Sequence, residues 1–233
     1  MGIKEEVHIY IKKPVKMTGP LIQFENVTFS YSPQQPVLSR VNFELFPGER
    51  VGVVGYTGCG KTTFLHLLVG LLKPKSGVIR AFGKVRREEP DFYEVRVRAG
   101  LVFQDSDDQL FCPTVLEDVV FGPLNLEKTP EEAKKIASKA LTTLGIEQLV
   151  DRITYKLSYG QKRLVALATV LAMQPDVLLL DEPTNGLDET SKQRITEVLL
   201  SLPQAMIIIS HEASFIETLA TRTVRITPDG SMC

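Results

Sequence analysis

The segment GYTGCGKT at residues 55–62 decides the fold. It follows a short run rich in valine, Arg50–Val54, and it leads into a helical pattern at 61–72. Its glycines allow backbone N–H groups to curve around phosphate oxygens, and a helix N-terminus adds a fixed positive potential. The spacing G-x-x-x-x-G-K-[ST] in this strand–loop–helix setting therefore predicts a phosphate-binding loop rather than a glycine turn before a core helix.

Every residue of this loop is a candidate nucleotide ligand. We expect the Lys61 ammonium to bridge the β- and γ-phosphates and the Thr62 hydroxyl to coordinate Mg²⁺. Cys59 occupies a permissive position, which suits either an inert filler or an oxidisable thiol near the helix N–H groups. The candidate ATP-binding residues of the loop are Gly55, Tyr56, Thr57, Gly58, Cys59, Gly60, Lys61, Thr62 and Thr63.

A second motif is the apolar run 177–180, which ends in two carboxylates, Asp181 and Glu182. At the carboxyl end of a parallel strand such side chains face the ligand crevice. We expect Asp181 to hold Mg²⁺ through water and Glu182 to polarise the attacking water. An isolated Asp-Glu pair also suits a helix cap or a turn, and its coexistence with the phosphate loop favours the catalytic interpretation.

The rest of the chain predicts one α/β unit with a helical insertion. Apolar and polar residues alternate at 21–31 as in a half-buried strand, and the unbroken apolar run 206–209 is typical of a central parallel strand. Prolines punctuate residues 103–159, where the spacing at 131–144 predicts an amphipathic helix. A further helix is expected from Ser158 to about residue 173.

Composition and charge narrow the class of protein. The 233 residues carry 27 basic and 28 acidic side chains, a formal net charge of −1, which argues against nucleic-acid binding. The three cysteines form no Cys-x-x-Cys pair, so we expect neither a disulfide framework nor a zinc site. No apolar stretch approaches the roughly 20 residues of a membrane span. Residues 1–20, of mixed charge, are expected to form an N-terminal extension.

The segment Leu157-Ser-Tyr-Gly-Gln161 opens the helix that leads toward Asp181. Taken alone it suits a capping box of Ser158 and Gln161. It also resembles the signature motif of ATP-binding-cassette (ABC) ATPases, and it lies between the phosphate loop and the acidic strand as in that family. The resemblance covers roughly residues 20–227 and implies ATP hydrolysis with Mg²⁺.

The same resemblance implies an α/β fold of the P-loop NTPase class. We expect a RecA-like core, an N-terminal antiparallel β-subdomain and a helical subdomain inserted at about 104–160. The ATPase domain should span 21–227, with a short C-terminal tail at 228–233. Few residues follow the core, so no regulatory C-terminal domain is expected.

Further positions match motifs of the family. Tyr31 resembles the aromatic residue that stacks on adenine, and Gln104 resembles the glutamine that contacts Mg²⁺ and the attacking water. His211 resembles the switch histidine at the γ-phosphate, although a lone histidine at a strand end is more often structural. The resemblance thus implies the catalytic residues Glu182, His211 and Gln104 and the Mg²⁺ ligands Thr62, Gln104 and Asp181.

The resemblance also implies a dimer with a second ABC ATPase subunit, either identical or related. In this family the helix that starts at Ser158 points at a γ-phosphate held by the other subunit, which places the phosphate between two helix N-termini. Ser158, Gly160, Gln161 and Asp188 are therefore expected to contact ATP across the dimer. Tyr159 stands where the family pattern has glycine, which leaves open a heterodimer or an interface adapted to tyrosine.

Residues 102–124 indicate a branch of the family. The sequences VFQDSDDQLF at 102–111 and PTVLEDVVFGPL at 113–124 are similar to the energy-coupling-factor ATPases of prokaryotic importers. This similarity implies a transmembrane coupling subunit, a substrate-binding membrane subunit and a location at the cytoplasmic face of the cell membrane. It favours cobalt or nickel as cargo, with a vitamin as the alternative.

The similarity to this branch also implies a docking groove beside Gln104. Acidic residues at 105, 107 and 108 are expected to attract basic residues of the coupling helices, with Leu110 and Phe111 packing beneath. A solvated acidic loop is the plainer alternative.

Three other functions stay open at this stage. The ATPase of a conventional ABC importer or exporter would share every motif, and its membrane subunits would distinguish it. A soluble ABC ATPase of DNA repair would show DNA-stimulated hydrolysis, which the near-neutral charge disfavours. A P-loop kinase would leave Glu182, His211 and the Ser158 motif unexplained.

Overall fold

The computed structural model describes residues 19–32 and 35–233. The extension expected at 1–20 lies outside these residues except for its last two positions. The strands are β1 (Ile22–Phe29), β2 (Leu38–Leu45), β3 (Arg50–Val54), β4 (Ser76–Ala81), β5 (Lys84–Arg86), β6 (Ala99–Val102), β7 (Val177–Asp181), β8 (Ala205–Ile209) and β9 (Arg222–Arg225). The helices are α1 (Lys61–Leu68), α2 (Phe92–Arg98), α3 (Val115–Asn125), α4 (Pro130–Leu144), α5 (Tyr159–Ala172), α6 (Glu189–Ser201) and α7 (Ala213–Leu219).

The first sheet is antiparallel, with the strand order β2-β1-β4-β5. The alternation predicted at 21–31 is confirmed, since β1 buries Ile22, Phe24, Val27 and Phe29. Phe24 pairs in register with Phe43 of β2, and these two side chains pack with Phe64 of α1. The antiparallel sheet is thereby fixed against the helix that follows the phosphate loop.

The second sheet is parallel, with the order β6-β7-β8-β3-β9. Every residue of β7 and β8 is buried, as expected for central strands that are covered on both faces. In register, Asp181 of β7 and Val53 of β3 both pair with Ile209 of β8. The carboxyl ends of these three strands therefore meet at one edge, where the phosphate loop, the acidic motif and His211 begin.

Helices α3, α4 and α5 lie between β6 and β7 and pack on one another. The amphipathic helix predicted at 131–144 is confirmed; it begins one residue earlier, at Pro130, after a capping box formed by Thr129 and Glu132. Across the ranges that the structure describes, no helix has the length and apolar character needed to cross a bilayer.

One predicted boundary is wrong. The helix after the phosphate loop was expected at 61–72, but α1 ends at Leu68. Gly70 adopts φ +75°, and a Cβ there would lie 2.2 Å from the ring of Phe92. The close approach of α2, which is distant in sequence, therefore turns the chain earlier than the apolar pattern suggests.

Candidate nucleotide site

The phosphate loop joins β3 to α1. Gly60 is the N-cap of α1 with φ +102°, and no side chain caps this helix. A Cβ at Gly60 would lie 2.8 Å from Cγ1 of Val37, so both the dihedral angle and the space require glycine. The N–H groups of the first turn thus remain available to an anion.

The Lys61 side chain is buried beneath this loop. Its Nζ donates hydrogen bonds to the carbonyl oxygens of Gly55 at 3.0 Å and Tyr56 at 3.1 Å. Both acceptors are neutral, so the positive charge is held in place without being cancelled. The side chain of Cys59 is also buried, which favours the filler interpretation over an oxidisable thiol.

Thr62 and Asp181 form a pair of oxygen ligands. The Thr62 hydroxyl donates to Oδ2 of Asp181 at 2.7 Å, and Gln104 lines the same cavity as both residues. Burial raises the pKa of Asp181, and the hydrogen bond from Thr62 opposes this shift. Hydroxyl, carboxylate and amide oxygens are ligands that Mg²⁺ accepts, so the donor set fits this ion.

Thr62 and Asp181 are not part of a larger cluster of metal-binding side chains among the described residues. Among the described residues, no three His, Cys, Asp or Glu side chains cluster as a metal cage. Mg²⁺ is commonly held by one or two protein ligands together with substrate phosphates. The pair of Thr62 and Asp181 is therefore compatible with Mg²⁺ that is bound together with a phosphate.

Glu182 and His211 meet at the ends of β7 and β8. The backbone N–H of His211 donates to Oε2 of Glu182 at 3.1 Å, and its Nε2 lies 3.0 Å from Oε1. Oε1 is buried, and no hydrogen bond of good geometry reaches it from the described residues. Burial raises the pKa of Glu182, with the His211 hydrogen bond opposing the shift. A carboxylate held in this way is suited to accept a proton from water.

The backbone of Glu182 is strained as well. Its φ is +49°, a left-handed value that is unfavourable for a residue other than glycine. Its N–H donates to the carbonyl of Ile209, which ties it to β8. Strained conformations of this kind persist where surrounding contacts enforce them, and they concentrate at functional sites.

A cavity of about 380 Å³ brings most predicted site residues together. Tyr31 stands exposed at its rim, where its hydroxyl lies 3.1 Å from the Thr63 hydroxyl and its ring packs edge-on against Phe29. The residues that line the cavity are Tyr31, Val37, Thr57, Gly58, Gly60, Lys61, Thr62, Thr63, Gln104, Asp181, Glu182 and His211.

The expected signature residues lie elsewhere in the chain and do not line this cavity. Ser158 and Gln161 form the capping box of α5, with hydrogen bonds of 3.0 and 3.3 Å. Asp188 caps α6 through Ser191, whose backbone N–H lowers the pKa of Asp188. Within one chain these groups therefore serve as helix caps.

Arg163 is a site residue that the sequence pattern did not predict, and it links α5 to two other parts of the site. This fully buried residue donates to the carbonyl oxygens of Phe103 at 2.7 Å and Glu182 at 3.0 Å. Its position in α5, on the same face as Leu167 and Val170, was the available signal, because a charged residue on an apolar helix face is seldom buried without a purpose.

The acidic loop before α3 is only partly free. Asp107 pairs with Lys162 at 2.5 Å, and Asp105 accepts a hydrogen bond from the Asp107 backbone. Leu110 is buried beneath the loop, whereas Phe111 is 66% exposed and packs edge-on against Phe121. The loop therefore combines an ion-paired carboxylate, that of Asp107, with an exposed aromatic pair, and it does not form a uniform acidic surface.

Comparison with known proteins identifies the class to which this fold and site belong. Residues 38–185 match the family described as "ABC transporter". The chain belongs to this family: it is an ABC ATPase domain, the ATP-binding part of an ABC transporter. The α/β fold class inferred from the sequence is confirmed.

Individual proteins show how close the similarity is. A relative from Nitratidesulfovibrio vulgaris, which carries the general name of an ABC transporter ATP-binding protein, is 46% identical over 216 residues, or 92% of this chain and 79% of the relative. The structure of CbiO1 from Clostridium perfringens, described as part of the ABC transporter complex CbiONQ, superposes with a TM-score of 0.83 at 34% identity, over 92% of this chain and 87% of CbiO1. The ATP-binding cassette MJ0796 was solved as a dimer bound to ADP and Pi. It superposes with a TM-score of 0.81 at 26% identity, over 90% of this chain and 95% of the MJ0796 chain.

Proposed function

We propose that this chain is the ATP-hydrolysing subunit of an energy-coupling-factor importer for a metal ion, cobalt or nickel, or for a vitamin. The observation that carries the proposal is the buried Glu182 carboxylate, which His211 holds beside the cavity that contains Lys61. The sequence at 102–124 and the similarity to CbiO1 of a CbiONQ complex support the branch. The membrane subunits would hold the chain at the cytoplasmic face of the cell membrane.

In this proposal the cavity residues act on different parts of the bound Mg-ATP. The loop N–H groups and Lys61 bind the β- and γ-phosphates, and Tyr31 stacks on adenine. Thr62, Asp181 and Gln104 hold Mg²⁺, which when bound neutralises phosphate charge. Glu182 accepts a proton from the attacking water, which its raised pKa favours, and His211 positions that carboxylate at the γ-phosphate.

We further propose that a second ATPase subunit completes the site. Ser158, Gly160, Gln161 and Asp188 do not line the cavity of their own chain. In a head-to-tail dimer they would face the nucleotide of the partner, so that ATP lies between the start of α1 from one subunit and the start of α5 from the other. The dimeric structure of the similar cassette MJ0796 supports this arrangement.

The test of hydrolysis and dimerisation uses Glu182→Gln. We expect this variant to bind ATP normally while phosphate release falls roughly 10²–10⁴-fold, because the general base is lost. Trapped with Mg-ATP, it should sediment as a dimer, either alone or mixed with a related ATPase subunit. Lys61→Ala, the matched control, should lose ATP binding. A Glu182→Gln protein that stays monomeric with saturating Mg-ATP in both mixtures would contradict the proposed dimer.

We also propose a docking surface for the coupling helix of a transmembrane subunit. An apolar groove of about 260 Å³ lies between the segment that follows α1, β6, α3 and α5, and its lining includes Leu71, Leu101, Phe111 and Phe121. The acidic loop at 105–108 adjoins it. An amphipathic helix with basic residues at one end would match both features.

Co-purification from detergent extracts tests this surface. Phe111→Asp should abolish capture of the membrane subunits while leaving the ATPase rate of the isolated domain unchanged, because Phe111 is exposed and outside the nucleotide cavity. Phe46→Asp, at an exposed phenylalanine directly after β2, is the control and should retain capture. Recovery of a conventional two-domain permease instead of a coupling and a substrate-binding subunit would assign the chain to another branch.

A further inference from the structure

Tyr159 occupies the first turn of α5, at the position where the family motif has glycine. It is 43% exposed, yet its ring turns back onto its own chain. Gly186, with φ +73°, lies beneath the ring: a Cβ on Gly186 would come within 3.0 Å of Cε1 of Tyr159. The tyrosine therefore packs on the loop between the acidic motif and α6 rather than extending freely.

The Tyr159 hydroxyl contacts Arg163, one helical turn further along α5. Nη2 of Arg163 lies 3.3 Å from this oxygen, and its Cζ lies 5.5 Å from the ring centre. The same guanidinium bonds the carbonyl oxygens of Phe103 and Glu182. One planar group thus connects the start of α5 with the residue before Gln104 and with the proposed general base.

Burial of the Arg163 guanidinium lowers the stability of the fold. Arg163 is 1% exposed, and its hydrogen-bond acceptors are two neutral carbonyls and a phenol. Its Nε is buried without a hydrogen-bond partner among the described residues. A buried cation that is not hydrogen-bonded to a carboxylate costs folding free energy, so its retention points to a functional constraint.

The strained backbone of Glu182 supplies that constraint. A left-handed φ at this residue needs contacts that enforce it, and the Glu182 carbonyl is one of the two that Arg163 holds. Arg163 has several rotatable bonds, and the Tyr159 hydroxyl is the third hydrogen-bond acceptor of its guanidinium. Without it the guanidinium keeps its two carbonyls but loses its third point of attachment.

We propose that Tyr159 is a positioning residue for ATP hydrolysis, which acts through Arg163 to set the backbone at Glu182 and before Gln104. This inference rests on the proposed role of Glu182. It also assigns the tyrosine an intramolecular task, in contrast to a contact with the nucleotide or backbone of a partner subunit.

Tyr159→Phe tests the inference, because it removes the hydroxyl and keeps the ring on Gly186. We expect kcat for ATP hydrolysis to fall roughly 3- to 10-fold, since a small displacement of a catalytic group lowers the rate strongly. The KM for ATP and the midpoint of thermal unfolding should not change. Tyr155→Phe, which removes an exposed hydroxyl four residues earlier, is the control and should leave kcat unaltered.

A double-variant cycle shows whether Tyr159 acts through Arg163. Arg163→Lys keeps the charge but cannot bridge both carbonyls, and it should lower kcat further than Tyr159→Phe does. Adding Tyr159→Phe to Arg163→Lys should then have no further effect on kcat. Independent, multiplicative losses would overturn the inference, as would an unchanged kcat in Tyr159→Phe.

Two further outcomes distinguish this inference from a role of Tyr159 at the subunit interface and from a failure of the proposed general base. If Tyr159→Phe, placed in the Glu182→Gln protein, weakens ATP-driven dimerisation while kcat at saturating subunit concentration is unchanged, Tyr159 acts at the subunit interface and the inference is wrong. If Glu182→Gln itself hydrolyses ATP at the normal rate, the proposed general base is wrong, whatever Tyr159 does.

Discussion

The carboxylates at the end of β7 and the carboxylate of Glu94 on α2 are the same chemical group in opposite circumstances. Glu94 accepts hydrogen bonds from Arg86, Lys84 and Arg98, and the Arg86 hydrogen bond is the main cause of its pKa being lowered to about 2. Burial instead raises the pKa values of Asp181 and Glu182. Cationic hydrogen-bond partners thus stabilise the charged form of Glu94, whereas burial of Asp181 and Glu182 disfavours their charged forms.

The two regions therefore contribute to stability with opposite sign. The lowered pKa of Glu94 stabilises the fold above the ordinary carboxyl pKa of 4.5, and this contribution is lost as the pH falls toward about 2. The raised pKa of Glu182 means that the folded state favours the protonated form, so the stability contribution declines as the pH rises through that pKa. The nucleotide site is a place where the fold gives up stability for chemistry.

The largest effect should come from Glu182→Gln examined for stability as well as rate. Alongside the loss of hydrolysis described above, we expect the nucleotide-free variant to unfold at a higher temperature than the natural protein at neutral pH, because a buried charge is removed. Scanning calorimetry at several pH values measures this, and the gain should shrink as the pH is lowered. A lower unfolding temperature at neutral pH would contradict the conclusion that the buried charge of Glu182 destabilises the fold.

A smaller effect of opposite sign is expected for Glu94→Gln. Removing the carboxylate deprives the buried Arg86 of its ion pair, and after allowance for the partial exposure of Glu94 the loss should be about 1–2 kcal/mol at neutral pH. Urea unfolding measures it. The difference from the natural protein should shrink below pH 4.5 and vanish only as the pH falls toward about 2, and the ATPase rate should not change. A reduced rate would mean that α2 communicates with the nucleotide site.

The smallest effect is expected at the exposed pair of Lys73 and Glu88. Their 2.9 Å separation matches the distances at Glu94, but their side chains are 69% and 71% exposed. Solvent screens such pairs, so Lys73→Gln should change the free energy of unfolding by less than about 0.5 kcal/mol in the same urea experiment. A loss as large as that of Glu94→Gln would show that distance, rather than the burial of the cationic partner, decides the contribution.

Local signals accounted for much of the fold and of the cavity. The glycine spacing at 55–62, the buried run before Asp181 and the capping box at Ser158 are all written in contiguous residues, and the structure contains each of them. The end of α1 was mispredicted because it depends on Phe92, which α2 brings from elsewhere in the chain. Arg163 was missed for a related reason, since its carbonyl acceptors belong to residues 60 and 19 positions away.

The roles proposed for Ser158 and Asp188 at the nucleotide require a second chain. The sequence indicates a helix cap at Ser158, and within one chain both Ser158 and Asp188 are helix caps. Only the resemblance to a family that works in pairs directs them toward a nucleotide, which is why their contact with ATP stays a prediction.

The placement of α3 and α4 has a consequence for how such domains diversify. Both helices leave the parallel sheet after β6 and return before β7, so they can be lengthened, shortened or exchanged without moving the strand ends that handle nucleotide. The proposed docking groove and the nucleotide cavity accordingly share no lining residue. If the docking surface proposed above is used, we expect that exchanging α3 and α4 for those of a related cassette changes the membrane partner and leaves ATP hydrolysis unaltered.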